Sequence, residues 1–337
     1  MKNEFKKPPL TSNENGEERT VGYELEFTGI EMGETAQIVA GLYGGETEQL
    51  SSFEYTIRNT KLGEFALELD ARLLLDREYE KVLLRIGIDP RQLKKRGELE
   101  ESLKDLASSV VPYEIITPPV KLSEMPKLNR MVQSLRIHQA KGTGSSVVYA
   151  FGLHLNPEVP ETNAESLLNH LRAYVLLDPW IRVDADIDLS RRLTPYINKF
   201  ESRYLELILD PDYRPGLETL IRDYIGFENT RNRSLDMLPV FMHLKPGLTS
   251  SLLDDTRTSA RPTFHYRLPN CSLENADWTL ASEWNRWVLV EQLAYDEETL
   301  MGYCRAWNRL NRDSVFGFEK KWTELIQRFV NDDKTKE

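Results

Sequence analysis

The sequence predicts an α+β protein, with an antiparallel sheet that is apolar on one face and studded with ligand-type side chains on the other, and helices covering the apolar face. Two observations carry this expectation. Several short segments alternate with a period of two, the pattern of an extended strand whose successive side chains point to opposite faces. Long stretches between and after them, above all residues 161–253 and 278–330, follow helical periodicity instead.

Taken in order, "VGYELEFTGI" at residues 21–30 sets Val21, Tyr23, Leu25 and Phe27 on one face and Glu24 with Glu26 on the other. "ETAQIVAGLYGG" reads as a short helix ending at Gly44-Gly45, and "SSFEYTIRN" with "GEFALELDA" as a hairpin. In the second of these, Phe65, Leu67 and Leu69 oppose Ala66, Glu68 and Asp70. Residues 72–109 are charged and helix-prone, with an interruption at Asp89-Pro90. Strand character returns in "VVPYEIITPPV", where Glu114 opposes Tyr113 and Ile115 and the paired prolines stop the strand. "KLNRMVQSLRIHQA" is a helix, and "VVYAFGLHLN" is a strand with Val147, Tyr149, Phe151, Leu153 and Leu155 on one face and Ala150, Gly152, His154 and Asn156 on the other. Late in the chain, "PTFHYRLPN" separates Phe264, Tyr266 and Leu268 from His265 and Arg267.

The polar faces of these strands carry Glu, Asp, His, Asn and Arg, not the Lys, Thr and Ser of a merely wet sheet. Clustered carboxylates repel one another unless cations neutralise them, so a divalent ion is the expected resident. Oxygen ligands without a cysteine cluster favour Mg²⁺ or Mn²⁺ over Zn²⁺.

Composition bounds the alternatives. A net charge of −11 argues against a general binder of nucleic acid or anionic membrane, because both need clustered Lys and Arg. No apolar run is long enough to cross a bilayer, and residues 1–20 lack the apolar stretch of a secretion signal, so a cytoplasmic protein is expected. Cys271 and Cys304 make neither a disulfide framework nor a zinc site. Residues 1–18 read as a disordered tail, 19–330 as a single catalytic domain and 331–337 as a polar tail. A homo-oligomer is compatible with all of this.

At these motifs the chain resembles the putative amidoligases of the glutamine synthetase and glutamate-cysteine ligase superfamily. "GYELEF", "EIITPP" and "GLHLN" match the family's Gly-x-Glu-x-Glu-Phe, Glu-containing and Gly-x-His strands, and "FHYRLPN" matches a Glu-Phe-Arg strand except that His265 replaces the Glu. The resemblance implies an open funnel of antiparallel sheet with helices behind it, like the glutamine synthetase catalytic domain. It also implies ATP- and Mg²⁺-dependent joining of a small-molecule or peptide carboxylate to an amine, through an acyl phosphate. On the same grounds Glu24, Glu26, Glu114 and Asp70 would hold metal. His154, Asn156 and Arg267 would face the nucleotide, and Arg267, His265 and Glu114 would stand at the reacting groups, with Glu68 near metal or amine. A phosphotransferase of the same fold and an inactive ligand-binding relative remain as rivals.

Other signals rank lower. "KGTGSS" lacks the helix and Lys of a P-loop, and "DADID" lacks the Gly and Glu of a calcium loop. "TRNRSLDMLP" places Arg231 and Arg233 at an apparent helix start, where they would bind an anion or pair with an acid. His138, His170, His243 and the stripe Trp278, Trp284, Trp287 read as packing or surface residues. There is no Gly-x-Ser-x-Gly elbow and no Cys-His pair to support an acyl-enzyme route.

Overall fold

A computed structural model describes residues 4–69, 112–143, 151–188, 191, 197–254, 258–313 and 317–335. The expected helix-prone segment 72–109 and the candidate Asp70 lie outside the described residues. Strands are β1 (Thr20–Phe27), β2 (Glu46–Ser51), β3 (Glu54–Thr60), β4 (Gly63–Leu69), β5 (Tyr113–Ile116), β6 (Val120–Lys121), β7 (Leu153–Pro157), β8 (Leu235–Asp236) and β9 (His265–Tyr266). They form one sheet in the order β2-β3-β4-β5-β1-β7-β9-β8, with β6 also beside β1. Each pairing between these strands is antiparallel. Because β2 and β8 end the order, the sheet is open and not a closed barrel.

Helices are α1 (Met32–Tyr43), α2 (Asn129–Ile137), α3 (Ala164–Asp184), α4 (Ser202–Ile208), α5 (Leu217–Phe227), α6 (Leu238–Leu244), α7 (Pro246–Leu252), α8 (Leu280–Tyr295), α9 (Glu297–Asp313) and α10 (Phe318–Thr335). None of the described helices is long and apolar enough to cross a membrane. The architecture is thus α+β, as expected.

β1 lies in the interior of the sheet, and its pattern explains why. Tyr23, Leu25 and Phe27 are fully buried, as are Phe65, Leu67, Ile115, Leu155 and Tyr266 on neighbouring strands. Helices cap this apolar face: Tyr43 of α1 stacks on Phe65 at 5.3 Å, and Tyr174 of α3 and Trp287 of α8 meet Tyr266 at 5.7 and 5.4 Å. Trp278, Trp284 and Trp287 are core residues. α1 ends where expected, because Gly44 and Gly45 have φ of 76° and 101°, and a Cβ on Gly45 would lie 2.3 Å from the Arg58 carbonyl. The Thr-Pro-Pro motif also has a local cause. Two prolines in a row cannot donate to a ladder, so pairing with β1 breaks between β5 and β6, and Thr117 repairs it by accepting Tyr23 N–H on its hydroxyl at 2.9 Å.

Three expectations need correction. Residues 4–18 are not a free tail. Lys6 N–H donates to Asn285, the Trp284 and Asn285 side chains donate to the Lys6 and Glu4 carbonyls, and Ser12 bridges Glu18. These contacts use backbone groups, which composition does not reveal. "ETEQLS" is an additional strand, β2, whose mostly exposed polar side chains show no alternation because it forms the sheet's edge. "TRNRSLDMLP" holds no helix start at Arg231; it contains β8, between α5 and α6. Arg233 is drawn inward there, 4.1 to 5.5 Å from the ring centres of Tyr224, Phe200 and Tyr204, and donates to the Tyr224 and Glu228 carbonyls at the end of α5. Its role is structural pairing.

Candidate functional site

The opposite face of the sheet collects the acidic side chains by register. Glu54 pairs with Glu68, Glu68 with Glu114, and Glu114 with Glu26, a row of four carboxylates over β3, β4, β5 and β1. The row runs from exposed Glu54 to buried Glu114 and Glu26. Like charges directly opposite across strands are destabilising, so this row costs stability unless cations sit among it. The next row sets Glu24 against His154, and beyond it Gly22 pairs with Asn156.

A chain of hydrogen bonds orders these side chains. Glu24 accepts from His154 Nδ1 at 2.9 Å on Oε2, and from Asn156 Nδ2 at 3.0 Å and Arg261 Nη1 at 3.3 Å on Oε1. Asn156 Oδ1 faces His265 Nδ1 at 2.7 Å. Since Glu24 and the amide oxygen can only accept, Nδ1 carries the proton on both histidines, assigned here from their partners, and both Nε2 atoms keep a lone pair. His154 Nε2 stands 3.6 Å from Glu26 Oε1, and its Nδ1 3.7 Å from Glu114 Oε1.

Two buried donor sets result, Glu24–His154–His265 and Glu26–Glu114–His154, each with ligand atoms within 4.8 Å of one another. Burial opposes the charge on Glu24, but the hydrogen bond from His154 and the Arg261 guanidinium hold the carboxyl well below its usual range. Burial, aided by His154, Arg267 and Arg261, holds His265 well below its usual value, so the ring is neutral and able to ligate. Carboxylate and neutral imidazole together suit a divalent ion that tolerates nitrogen, which favours Mn²⁺ over Mg²⁺ at the set with two histidines.

The expected residues are brought together with one difference. Glu24, Glu26, Glu114, His154 and His265 converge, whereas Asn156 uses its amide on Glu24 and His265 and so orients both side chains. Arg267 is buried, donates Nη1 to the Arg231 carbonyl at 2.9 Å and keeps its place beside the histidines.

Three further residues escaped the sequence reading. Arg191 lies against Gly152, where a Cβ would come within 2.4 Å of its Nη1, and donates to the Arg267 carbonyl at 2.6 Å. Burial lowers its pKa to about 10 despite Glu26, so it stays cationic at neutral pH. Gly152 also donates its N–H to Glu26 at 2.7 Å. The absence of a side chain there serves both contacts. Arg261 and Asp236 are the others, and with Glu24, Glu68, Ile116, Arg231, Pro239, Thr258, Ser259 and His265 they line a cavity of about 200 Å³ beside the donor sets. No local signal marks them, since Asp236 sits on a two-residue strand and Arg261 on an irregular segment.

Burial pushes the Asp236 carboxyl up from 3.8 to about 6, against the Leu238 N–H and nearby arginines that favour the anion. Between those values the folded state keeps a proton that the unfolded chain has released, so this group's contribution to stability falls as pH rises from about 4 to 6. Asp236→Asn is therefore expected to be more stable than the wild type at pH 7, by no more than about 3 kcal/mol at about 1.4 kcal/mol per pH unit, with the gap closing near pH 4. Urea unfolding at both pH values checks this, and a variant no more stable at pH 7 contradicts it.

Comparison with known proteins came to the same family as the motifs. The family described as "Putative amidoligase enzyme" matches residues 17–289. No curated protein and no solved structure matches the chain.

Proposed function

This chain belongs to the amidoligase family, and we propose that it is an ATP-dependent ligase that joins a carboxylate to an amine through an acyl phosphate, on a glutamine synthetase-like funnel. The observation that supports this most is the pair of donor sets that share His154 on the acidic face of an open sheet. ATP and a carboxylate substrate are both anionic, and so is this face, so the three can meet only with cations between them. Bound divalent ions would neutralise phosphate oxygens there and favour the charge that develops during phosphoryl transfer.

The chain's own residues divide the remaining work. Glu26, Glu114 and His154 would hold one ion, and Glu24 with His265 a second. Asn156 fixes the orientation of Glu24 and His265 by its two hydrogen bonds. Arg191 and Arg267, both buried, would supply positive charge to the transferring phosphoryl group. In the overall reaction a carboxylate oxygen takes the γ-phosphoryl group and ADP leaves. The amine nitrogen then attacks the acyl carbon, phosphate departs, and the nitrogen gives up a proton.

A ligand that binds only the folded state at a hundred times its dissociation constant adds about 2.7 kcal/mol of stability. Mn-ATP or Mg-ATP should accordingly raise the melting temperature, and ATP with excess chelator should do so far less. Equal shifts with and without the cation would remove the reading. With carboxylate and amine both present, mass spectrometry should find ADP, free phosphate and an amide; a stable phosphorylated product would instead identify a phosphotransferase.

A further inference from the structure

The 200 Å³ cavity shares Glu24 and His265 with the donor sets, but its far wall has a chemistry of its own. Asp236 on β8 stands opposite His265 in the β8–β9 pair and is 2% exposed. Its Oδ1 accepts the Leu238 N–H at 2.9 Å. Among the described residues no cationic side chain forms an ion pair with its carboxylate, although Arg267, Arg231 and Arg233 lie near enough to favour the anion, and it belongs to neither donor set. One backbone donor and arginines at a distance only partly offset the burial of this carboxylate, which a directly bound cation would offset further.

Thr258 Oγ1 and Arg261 Nε, on two other lining residues, are buried without a hydrogen-bond partner among the described residues, while Arg261 Nη1 donates to Glu24 at 3.3 Å. Native proteins leave few such atoms, and two of them on one small cavity point to an occupant. The unpartnered donors call for an anion, and the Asp236 carboxylate calls for a cation. The volume is below that of sites for drug-sized ligands, so the occupant is small.

Building on the ligase reading, we propose that this cavity is the subsite for the amine partner, and that it takes a small primary amine that also carries an anionic group. The ammonium lies on Asp236 and the anion on Arg261 and Thr258. A carboxylate kept in place at a cost to stability is consistent with a binding role. Its place one strand pair from His265 puts the nitrogen beside the ion-binding cluster.

Glycine, methylammonium and acetate serve as probes, with binding followed by calorimetry on the full chain without nucleotide or metal. The wild type should bind glycine more tightly than either fragment. Asp236→Asn keeps an acceptor for the Leu238 N–H but loses the charge, and should weaken glycine and methylammonium by at least about tenfold, the size of one charge-assisted hydrogen bond, while acetate is unaffected. Mn²⁺ affinity of the variant should equal that of the wild type, which separates loss of the subsite from loss of the fold. If the variant fails to fold, the wild-type ranking decides, and acetate binding as tightly as glycine overturns the proposal. So does an absence of glycine binding, or equal glycine affinity in the two proteins. None of these outcomes touches the cation-dependent ATP shift, so failure of the subsite and failure of the ligase reading are distinguishable.

Discussion

Glu24→Gln is expected to lower turnover by at least about 100-fold, more than the usual cost of disturbing a ligand's supporting shell, because Glu24 is itself a donor-set member. The amide would place an N–H₂ against the His154 Nδ1–H or the Asn156 N–H₂ that now donate to the carboxylate at 2.9 and 3.0 Å. That turns a hydrogen bond into a clash of donors and frees both imidazoles to take the wrong tautomer. Glu114→Gln should cost activity on the same scale but affect stability in the opposite direction. Glu114 stands between Glu26 and Glu68 in the cross-strand row, so loss of its charge relieves repulsion and the metal-free protein should hold or gain stability. Glu24, held ionised by its neighbours, should lose stability on the same substitution. ADP release and urea unfolding measure the two effects. A Glu24→Gln protein with wild-type turnover would mean that this buried polar cluster is only structural.

Arg19→Ala is expected to destabilise the fold by about 3–5 kcal/mol, the range for removing one partner of a buried ion pair. Arg19 is fully buried at the start of β1, and both of its terminal nitrogens meet Glu291 of α8 at 2.7 Å. The same guanidinium donates to the carbonyls of Glu158 and Leu10, so one side chain ties the N-terminal segment, the end of β7 and the helical layer together. Glu291 also accepts Trp287 Nε1 at 2.6 Å, and without Arg19 it would be a buried carboxylate with one neutral donor. Adding Glu291→Gln to Arg19→Ala should recover part of the loss, since the amide keeps an acceptor for Trp287 without a charge. If urea unfolding shows Arg19→Ala within about 1 kcal/mol of the wild type, a cost typical of ordinary substitutions, the pair does not organise the junction.

Local sequence was sufficient to say which residues share a face. In an extended chain the direction of each side chain follows from its neighbours alone, so the alternation in "GYELEF", "EIITPP" and "GLHLN" already separated Glu24, Glu26, Glu114, His154 and Asn156 from the buried aromatic and aliphatic residues. Even the break after β5 was legible, because proline cannot donate a hydrogen bond wherever it is placed. The alignment of one strand against another is a different matter, as register depends on the whole set of pairings and on the loops that permit them. The four-glutamate row, and the sharing of His154 between two donor sets, therefore exist only in the folded sheet. The same holds for Arg261, which reaches Glu24 from 237 positions away, and for Asp236, whose two-residue strand shows no periodicity until β9 lies beside it. Residues 4–18 escaped for a related reason: their polar composition resembles a free chain, and it is α8, nearly 280 residues distant, that supplies the partners for their backbone.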